Sequence, residues 1–151
     1  MTDTGEMADI LLVEDNPGDV RLTREAFEDG QIDNTLHVAT DGVEALEFCY
    51  GRGEFEDAPC PDIILLDLNL PRKNGEEVLA ELKADPKRRQ IPVIVLTSSD
   101  SHEDMIKSYD LHANAYLSKP VDPIEFIDRI QSLEQFWLSV TQLPTCTSSA
   151  R

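Results

Sequence analysis

Asp62-Ile63-Ile64-Leu65-Leu66-Asp67 is the most apolar run in the chain. Four aliphatic residues in a row lack the alternation of a half-exposed strand, and the run is too short for a confident helix. Pro61 precedes it and the loop Leu70-Pro71-Arg72-Lys73-Asn74-Gly75 follows. It reads as a strand buried on both faces, the kind found in the middle of a parallel sheet. It ends on an acid, Asp67.

Upstream, Ile10-Leu11-Leu12-Val13 lies within a second short apolar segment, Ala8 to Glu14, closed by Asp15-Asn16-Pro17-Gly18. Asn16 suits a helix cap with Pro17 at the first helical position, and Val20, Thr23 and Phe27 share one face before Gly30 stops the helix. Thr35 to Ala39 reads as another strand. Asp41 then caps a helix bearing Val43, Leu46, Cys49 and Tyr50, which ends at Gly51. A loop rich in Gly, Glu and Pro runs through Pro61.

Downstream, Val78, Leu79 and Leu82 mark a helix finishing near Pro86, and Pro92 to Leu96 gives a strand that ends on Thr97. Ser98 to Asp100 cap a helix lined by Ile106, Tyr109 and Ala113. Ala115 to Ser118 is a brief fifth strand, and Phe126, Ile130, Leu133 and Trp137 fall at helical spacing on a long last helix. Strands alternating with helices predict a doubly wound α/β fold, a five-stranded parallel sheet with helices on both faces. The expected organisation is a flexible N-terminus over 1–7, one domain over 8–141 and a flexible tail over 142–151.

Composition narrows the function classes. The 151 residues suit a single domain. Thirteen Lys and Arg against thirty Asp and Glu give a net charge of -17. A surface so acidic, with the acids spread from Asp3 to Glu134, repels nucleic acid and anionic membranes. It serves as a solubilising surface and also fits a chain from a high-salt cytoplasm. Cys49, Cys60 and Cys146 form no CxxC pair, so reduced thiols in a cytoplasmic setting are expected. There is no apolar run of the ~20 residues a spanning helix needs, and the polar start of the chain is unlike a signal peptide.

In doubly wound sheets the ligand site lies outside the carboxyl ends of the strands. Those ends carry Glu14 and Asp15, Asp67, Thr97 and Lys119. Carboxylates crowded at one edge repel one another unless a cation sits among them. Mg2+ fits best, since it takes one or two carboxylates with waters and phosphate oxygens, here Asp15, Asp67 and a nearby backbone carbonyl. With charge drawn off by the metal and Lys119, a carboxylate oxygen of Asp67 can attack phosphorus and form an acyl phosphate. The Thr97 hydroxyl can donate to a phosphoryl oxygen. Taken singly, each of these residues is equally well a cap or a loop residue; their joint placement carries the reading.

The motifs Leu12-Val13-Glu14-Asp15-Asn16, Leu65-Leu66-Asp67-Leu68-Asn69-Leu70-Pro71, Gly75, Leu96-Thr97-Ser98-Ser99 and Ala115-Tyr116-Leu117-Ser118-Lys119-Pro120 closely resemble the receiver domain of two-component response regulators. The resemblance spans roughly residues 8 to 140, and none of its motif positions is substituted. It implies the flavodoxin-like strand order 2-1-3-4-5 and makes Asp67 the phosphoacceptor. It also implies Mg2+ held by Asp15, Asp67 and the Asn69 carbonyl, with Glu14 acting through water, and a phosphoryl group coordinated by Thr97 and Lys119. Lys119-Pro120 becomes a candidate cis peptide. Tyr116 matches the switch aromatic that turns inward when Thr97 moves, the alternative being a static half-buried tyrosine.

The Arg52–Pro61 loop, the Asn-Pro-Gly-Asp opening and the long last helix look like the small stand-alone regulators partnered with phytochrome-type histidine kinases. The implied partners are a sensor histidine kinase, phytochrome-like or hybrid, and a downstream protein or histidine phosphotransfer partner. Phe136, Trp137 and Leu138 suit either a homodimer contact or a capping apolar cluster. His37, His102 and His112 lie away from the strand ends and read as surface or packing residues. Two rivals remain. A haloacid-dehalogenase-type phosphohydrolase needs a second acid where Asn69 stands, and a pseudo-receiver commonly lacks one of the acids, the Thr or the Lys that are all present here.

Overall fold

Strand β3 (Ile63–Asp67) has every residue buried and lies at the centre of the sheet. The computed structural model describes residues 8–29, 34–68, 70–97, 115–118 and 122–134. Within them the remaining elements are β1 (Ala8–Val13), α1 (Pro17–Glu28), β2 (Asn34–Ala39), α2 (Gly42–Tyr50), α3 (Gly75–Ala84), β4 (Val93–Thr97), β5 (Ala115–Ser118) and α4 (Pro123–Glu134). A 3-10 turn, Gly53–Phe55, interrupts the loop between α2 and β3.

All strand pairs are parallel and the order is β2-β1-β3-β4-β5, as expected. The alternation of side chains along each strand divides the core into two layers. Leu11, Val13, Ile64, Leu66, Val93 and Val95 face α2 and α3, where they meet Leu46, Phe48, Val78, Leu79 and Leu82. Ile10, Leu12, Ile63, Leu65, Ile94 and Leu96 face α1 and α4, where they meet Ala26, Phe27 and Ile130. The three inner strands are therefore apolar at consecutive positions because both of their faces are covered.

The helix starts follow local chemistry. The Asn16 side chain accepts from the Asp19 N–H at 3.1 Å, and Pro17 opens α1. Asp41 accepts from the Glu44 N–H at 2.7 Å, and Gly51 ends α2 at φ 65 in the left-handed region that glycine occupies without strain. Buried Thr23 satisfies its hydroxyl on the Asp19 carbonyl at 2.8 Å.

The boundaries shift by a residue. β4 begins at Val93 because Pro92 has no N–H for the ladder, although its carbonyl accepts from the Ile64 N–H at 2.9 Å. Glu14 lies just past β1 yet still donates its N–H to the Ala39 carbonyl at 2.9 Å. Helix α1 closes at Asp29, whose N–H reaches the Glu25 carbonyl at 3.0 Å. The helix expected around Ile106, Tyr109 and Ala113, the stop at Gly30 and the continuation to Trp137 lie outside the described residues.

Cys49 is free and buried, whereas Cys60 is disulfide-bonded, which departs from the expectation of three reduced thiols. Spacing in sequence says nothing of proximity in the fold.

Candidate functional site

Register places the carboxyl ends of the strands along one edge of the sheet. Val13 pairs with Ala39 on one side and Leu66 on the other, Asp67 pairs with Leu96, and Thr97 with Ser118. Residues directly after those pairs therefore gather at one rim.

Three of the predicted acids meet there. One carboxylate oxygen from each of Glu14, Asp15 and Asp67 lies within 4.8 Å of the others. Glu14 is 1% exposed and Asp67 6%, while Asp15 is open to solvent, so the cluster has two sheltered carboxylates and an accessible one. The Glu14 carboxylate also accepts the Asn16 N–H at 3.2 Å, which fixes it against the turn into α1. A set of carboxylate oxygens without nitrogen or sulfur suits a hard divalent cation.

The backbone of Asp67 is held from below. A methyl on Gly75 would overlap the Asp67 carbonyl oxygen and stand 2.7 Å from the Leu68 Cα, so glycine permits this close approach of α3 to the end of β3. The Gly75 N–H donates to the Leu68 carbonyl at 3.0 Å, closing the loop that follows Asp67. Leu68 and Leu70 anchor that loop in the core at 6% and 9% exposure.

Thr97 ends β4 as expected, one position beyond the partner of Asp67, and Tyr116 lies on β5 opposite Val95. Asn69, Lys119 and Pro120, with the cis peptide expected at Lys119-Pro120, lie outside the described residues, as do the side chains of Thr97 and Tyr116. His102, His112, Phe136, Trp137 and Leu138 are likewise outside them.

His37 is a packing residue. Its Nε2 lies 3.1 Å from Asp9 Oδ1 and its ring 5.0 Å from that of Phe48, away from the acid cluster. Cys49 is no nucleophile either. Burial pushes its thiol up to about 12, only partly opposed by the Arg88 guanidinium.

Several supporting contacts escaped the sequence reading. Asn74 and Glu77 form a reciprocal capping box at the start of α3. The Asn-Gly-Glu-Glu pattern at 74–77 carries that signal. Arg72 adopts φ 65, and its Nε lies 3.3 Å from Asp41 Oδ2. No local pattern announces a left-handed arginine.

A parallel sheet in this order, with an oxygen-only acid cluster at its carboxyl rim, defines a receiver-type signalling module. The chain belongs to the response regulator receiver domain family, whose sequence model matches residues 10–131. It is 47% identical over 135 residues to response regulator Rcp1 of Synechocystis sp., covering 89% of this chain and 92% of that one. The Mn2+-bound crystal structure of Rcp1 superposes with a TM-score of 0.87 at 46% identity, over 91% of this chain and 99% of that one. The phosphorylated cyanobacterial phytochrome response regulator RcpA superposes with a TM-score of 0.89 at 43% identity, over 92% and 99%. Among the described residues no helix is long and apolar enough to cross a membrane.

Proposed function

We propose that Asp67 is the acceptor of a phosphoryl group donated by a sensor histidine kinase. The observation that carries this reading is the convergence of Glu14, Asp15 and Asp67 within 4.8 Å at the carboxyl rim. Like charges so close are unfavourable on their own and favourable around a cation that also draws in phosphate oxygens.

Asp15 and Asp67, with the Asn69 carbonyl, would hold Mg2+, and Glu14 would act on its water shell. When bound, Mg2+ supplies charge neutralisation for an incoming phosphoryl group. Asp67 is the nucleophile: one carboxylate oxygen attacks phosphorus, the O–P bond forms, and the bond from phosphorus to the donor imidazole nitrogen breaks. The buried backbone of Asp67, fixed by Gly75, orients that oxygen. Thr97 donates its hydroxyl to a phosphoryl oxygen and Lys119 pairs with the new negative charge. Movement of Thr97 towards the phosphate frees space for the Tyr116 ring and alters the surface beside β5.

The relatives support a phytochrome-type kinase as donor, since RcpA is a phytochrome response regulator. The output is contact with a downstream protein or transfer to a histidine phosphotransfer partner, in the cytoplasm. Phe136, Trp137 and Leu138 would supply the contact of a homodimer.

The test is to incubate the protein with Mg2+ and acetyl phosphate and read its intact mass. A phosphate-sized gain that is lost in Asp67→Asn is the expected result. No gain in the parent chain would point instead to a pseudo-receiver.

A further inference from the structure

Gly42, the first residue of α2, is buried and is not in the left-handed region, which among the described glycines holds only Gly51 and Gly53. A glycine there weakens the helix relative to alanine and gains nothing from backbone freedom. What it permits is contact: a methyl at this position would overlap the Lys73 carbonyl oxygen and stand 2.7 Å from the Lys73 carbonyl carbon and 2.8 Å from its Cβ. The loop between β3 and α3 is thus laid directly on the start of α2.

A second tie lies beside it. The Asp41 carboxylate is fixed by the Glu44 N–H at 2.7 Å and pairs through its other oxygen with Arg72 at 3.3 Å. Arg72 makes this pair from φ 65, a conformation that costs a non-glycine residue about 1 kcal/mol or more. From Lys73 the chain passes into the Asn74 cap and Gly75, which rests on the backbone of Asp67. Moving Lys73 therefore moves the support under Asp67.

We propose that Gly42 and the Asp41–Arg72 pair are positioning residues for the acid cluster. They seat the loop after Asp67 on α2 and so set how tightly Glu14, Asp15 and Asp67 hold a divalent cation. The inference rests on the proposed receiver chemistry of that cluster.

The experiment is calorimetric titration of the full chain with Mn2+, comparing the parent with Gly42→Ala and Arg72→Gln, each checked by urea unfolding. Gly42→Ala, whose methyl pushes the loop off α2, is expected to weaken Mn2+ binding about tenfold, as disturbing the outer support of a metal ligand does. Arg72→Gln keeps a non-glycine residue at φ 65 but loses the ion pair, and is expected to weaken binding roughly threefold. The sign is diagnostic, because deleting a cation near a cation site strengthens binding on charge alone. A role limited to stability would lower the urea midpoint and leave Mn2+ affinity unchanged.

A folded Gly42→Ala within about twofold of the parent would overturn the proposal. So would an Arg72→Gln that binds Mn2+ as tightly as the parent or more so. Should Gly42→Ala not fold, Arg72→Gln decides alone. A parent that takes up no Mn2+ would instead remove the reading of the cluster itself, a separate outcome.

Discussion

Neutralising Asp67 should stabilise the metal-free protein. The cluster places carboxylate oxygens within 4.8 Å of one another. At such a spacing one pair of like charges costs about 1 kcal/mol in a water-like dielectric and about 3.5 kcal/mol at an effective dielectric of 20. Asp15 is exposed, so its repulsion with Asp67 belongs near the lower value, while Glu14 and Asp67 are both buried and interact more strongly. Against this, an amide accepts hydrogen bonds less well than a carboxylate, which returns roughly 1–3 kcal/mol of the gain. The expected net effect of Asp67→Asn in EDTA is stabilisation by about 1–2 kcal/mol. With a urea dependence near 2 kcal/mol per molar, the midpoint should rise by about 0.5–1 M.

Magnesium should reverse the order. A ligand at a hundred times its Kd stabilises the folded state by about 2.7 kcal/mol, and the Asn variant, which binds the cation more weakly, gains less. The assay is urea unfolding followed by circular dichroism, in EDTA and in saturating Mg2+, for both proteins. A midpoint for Asp67→Asn at or below the parent in EDTA would refute the claim that the cluster is under electrostatic strain. A midpoint equally raised by Mg2+ in both proteins would refute the placement of the cation beside Asp67.

Gly75→Ala should cost about 2 kcal/mol or more, because its methyl overlaps the Asp67 carbonyl, and should slow phosphorylation from acetyl phosphate. Both follow from one variant, by unfolding and by intact mass. Leu66→Ala removes a fully buried side chain of the central strand and should cost about 3 kcal/mol, read from its urea midpoint. Lys83 donates to the Arg89 and Ile91 carbonyls at 3.0 and 2.8 Å, so Lys83→Met should destabilise by about 1–2 kcal/mol through the turn into β4. Burial lowers the Lys83 pKa, so part of the lost bonding is offset by relieved desolvation. Cys49 should resist iodoacetamide at pH 9 in the native chain and react once unfolded, as followed by peptide mass. Since its thiol is raised from 9.0 to about 12, the unfolded state loses this proton first. Its contribution to stability is therefore complete below pH ~9 and lost as pH rises towards about 12.

The order of strands and the residues at their ends were legible because two independent patterns agree. Apolar runs of four or five residues mark strands buried on both faces, and the caps at Asn16 and Asp41 fix where the helices begin. Parallel pairing then brings Glu14, Asp15 and Asp67 to one rim whatever the details of packing. The seating of the loop after Asp67 was not legible. Asp41-Gly42 reads as an ordinary cap followed by a poor helix former, and its purpose exists only through Lys73, about thirty residues on. Arg72 was equally hidden, since its partner Asp41 is the cap of α2, about thirty residues earlier in the chain. A reading from local signals finds what each segment prefers and misses what one segment tolerates for another.

The same electrostatics ties stability to signalling. A domain of this size is stable by about 5–15 kcal/mol, so a cluster costing about 1–2 kcal/mol is supportable only because the rest of the strands is apolar on both faces. That cost would be relieved by a cation and a phosphoryl group at the proposed site, so their binding would favour whichever arrangement brings the acids and their partners closest. A ligand shifts a conformational equilibrium only by its difference in affinity for the two states. Relief of about 1–2 kcal/mol would move such an equilibrium roughly five- to thirtyfold. The close packing beneath Asp67, from Gly75 and the loop seated on Gly42, would on this proposal keep that relief from dissipating in movement of Asp67 itself. Under the proposed mechanism the displacement would fall on the β4 and β5 side of the site, where Thr97 ends β4 and Tyr116 lies within β5.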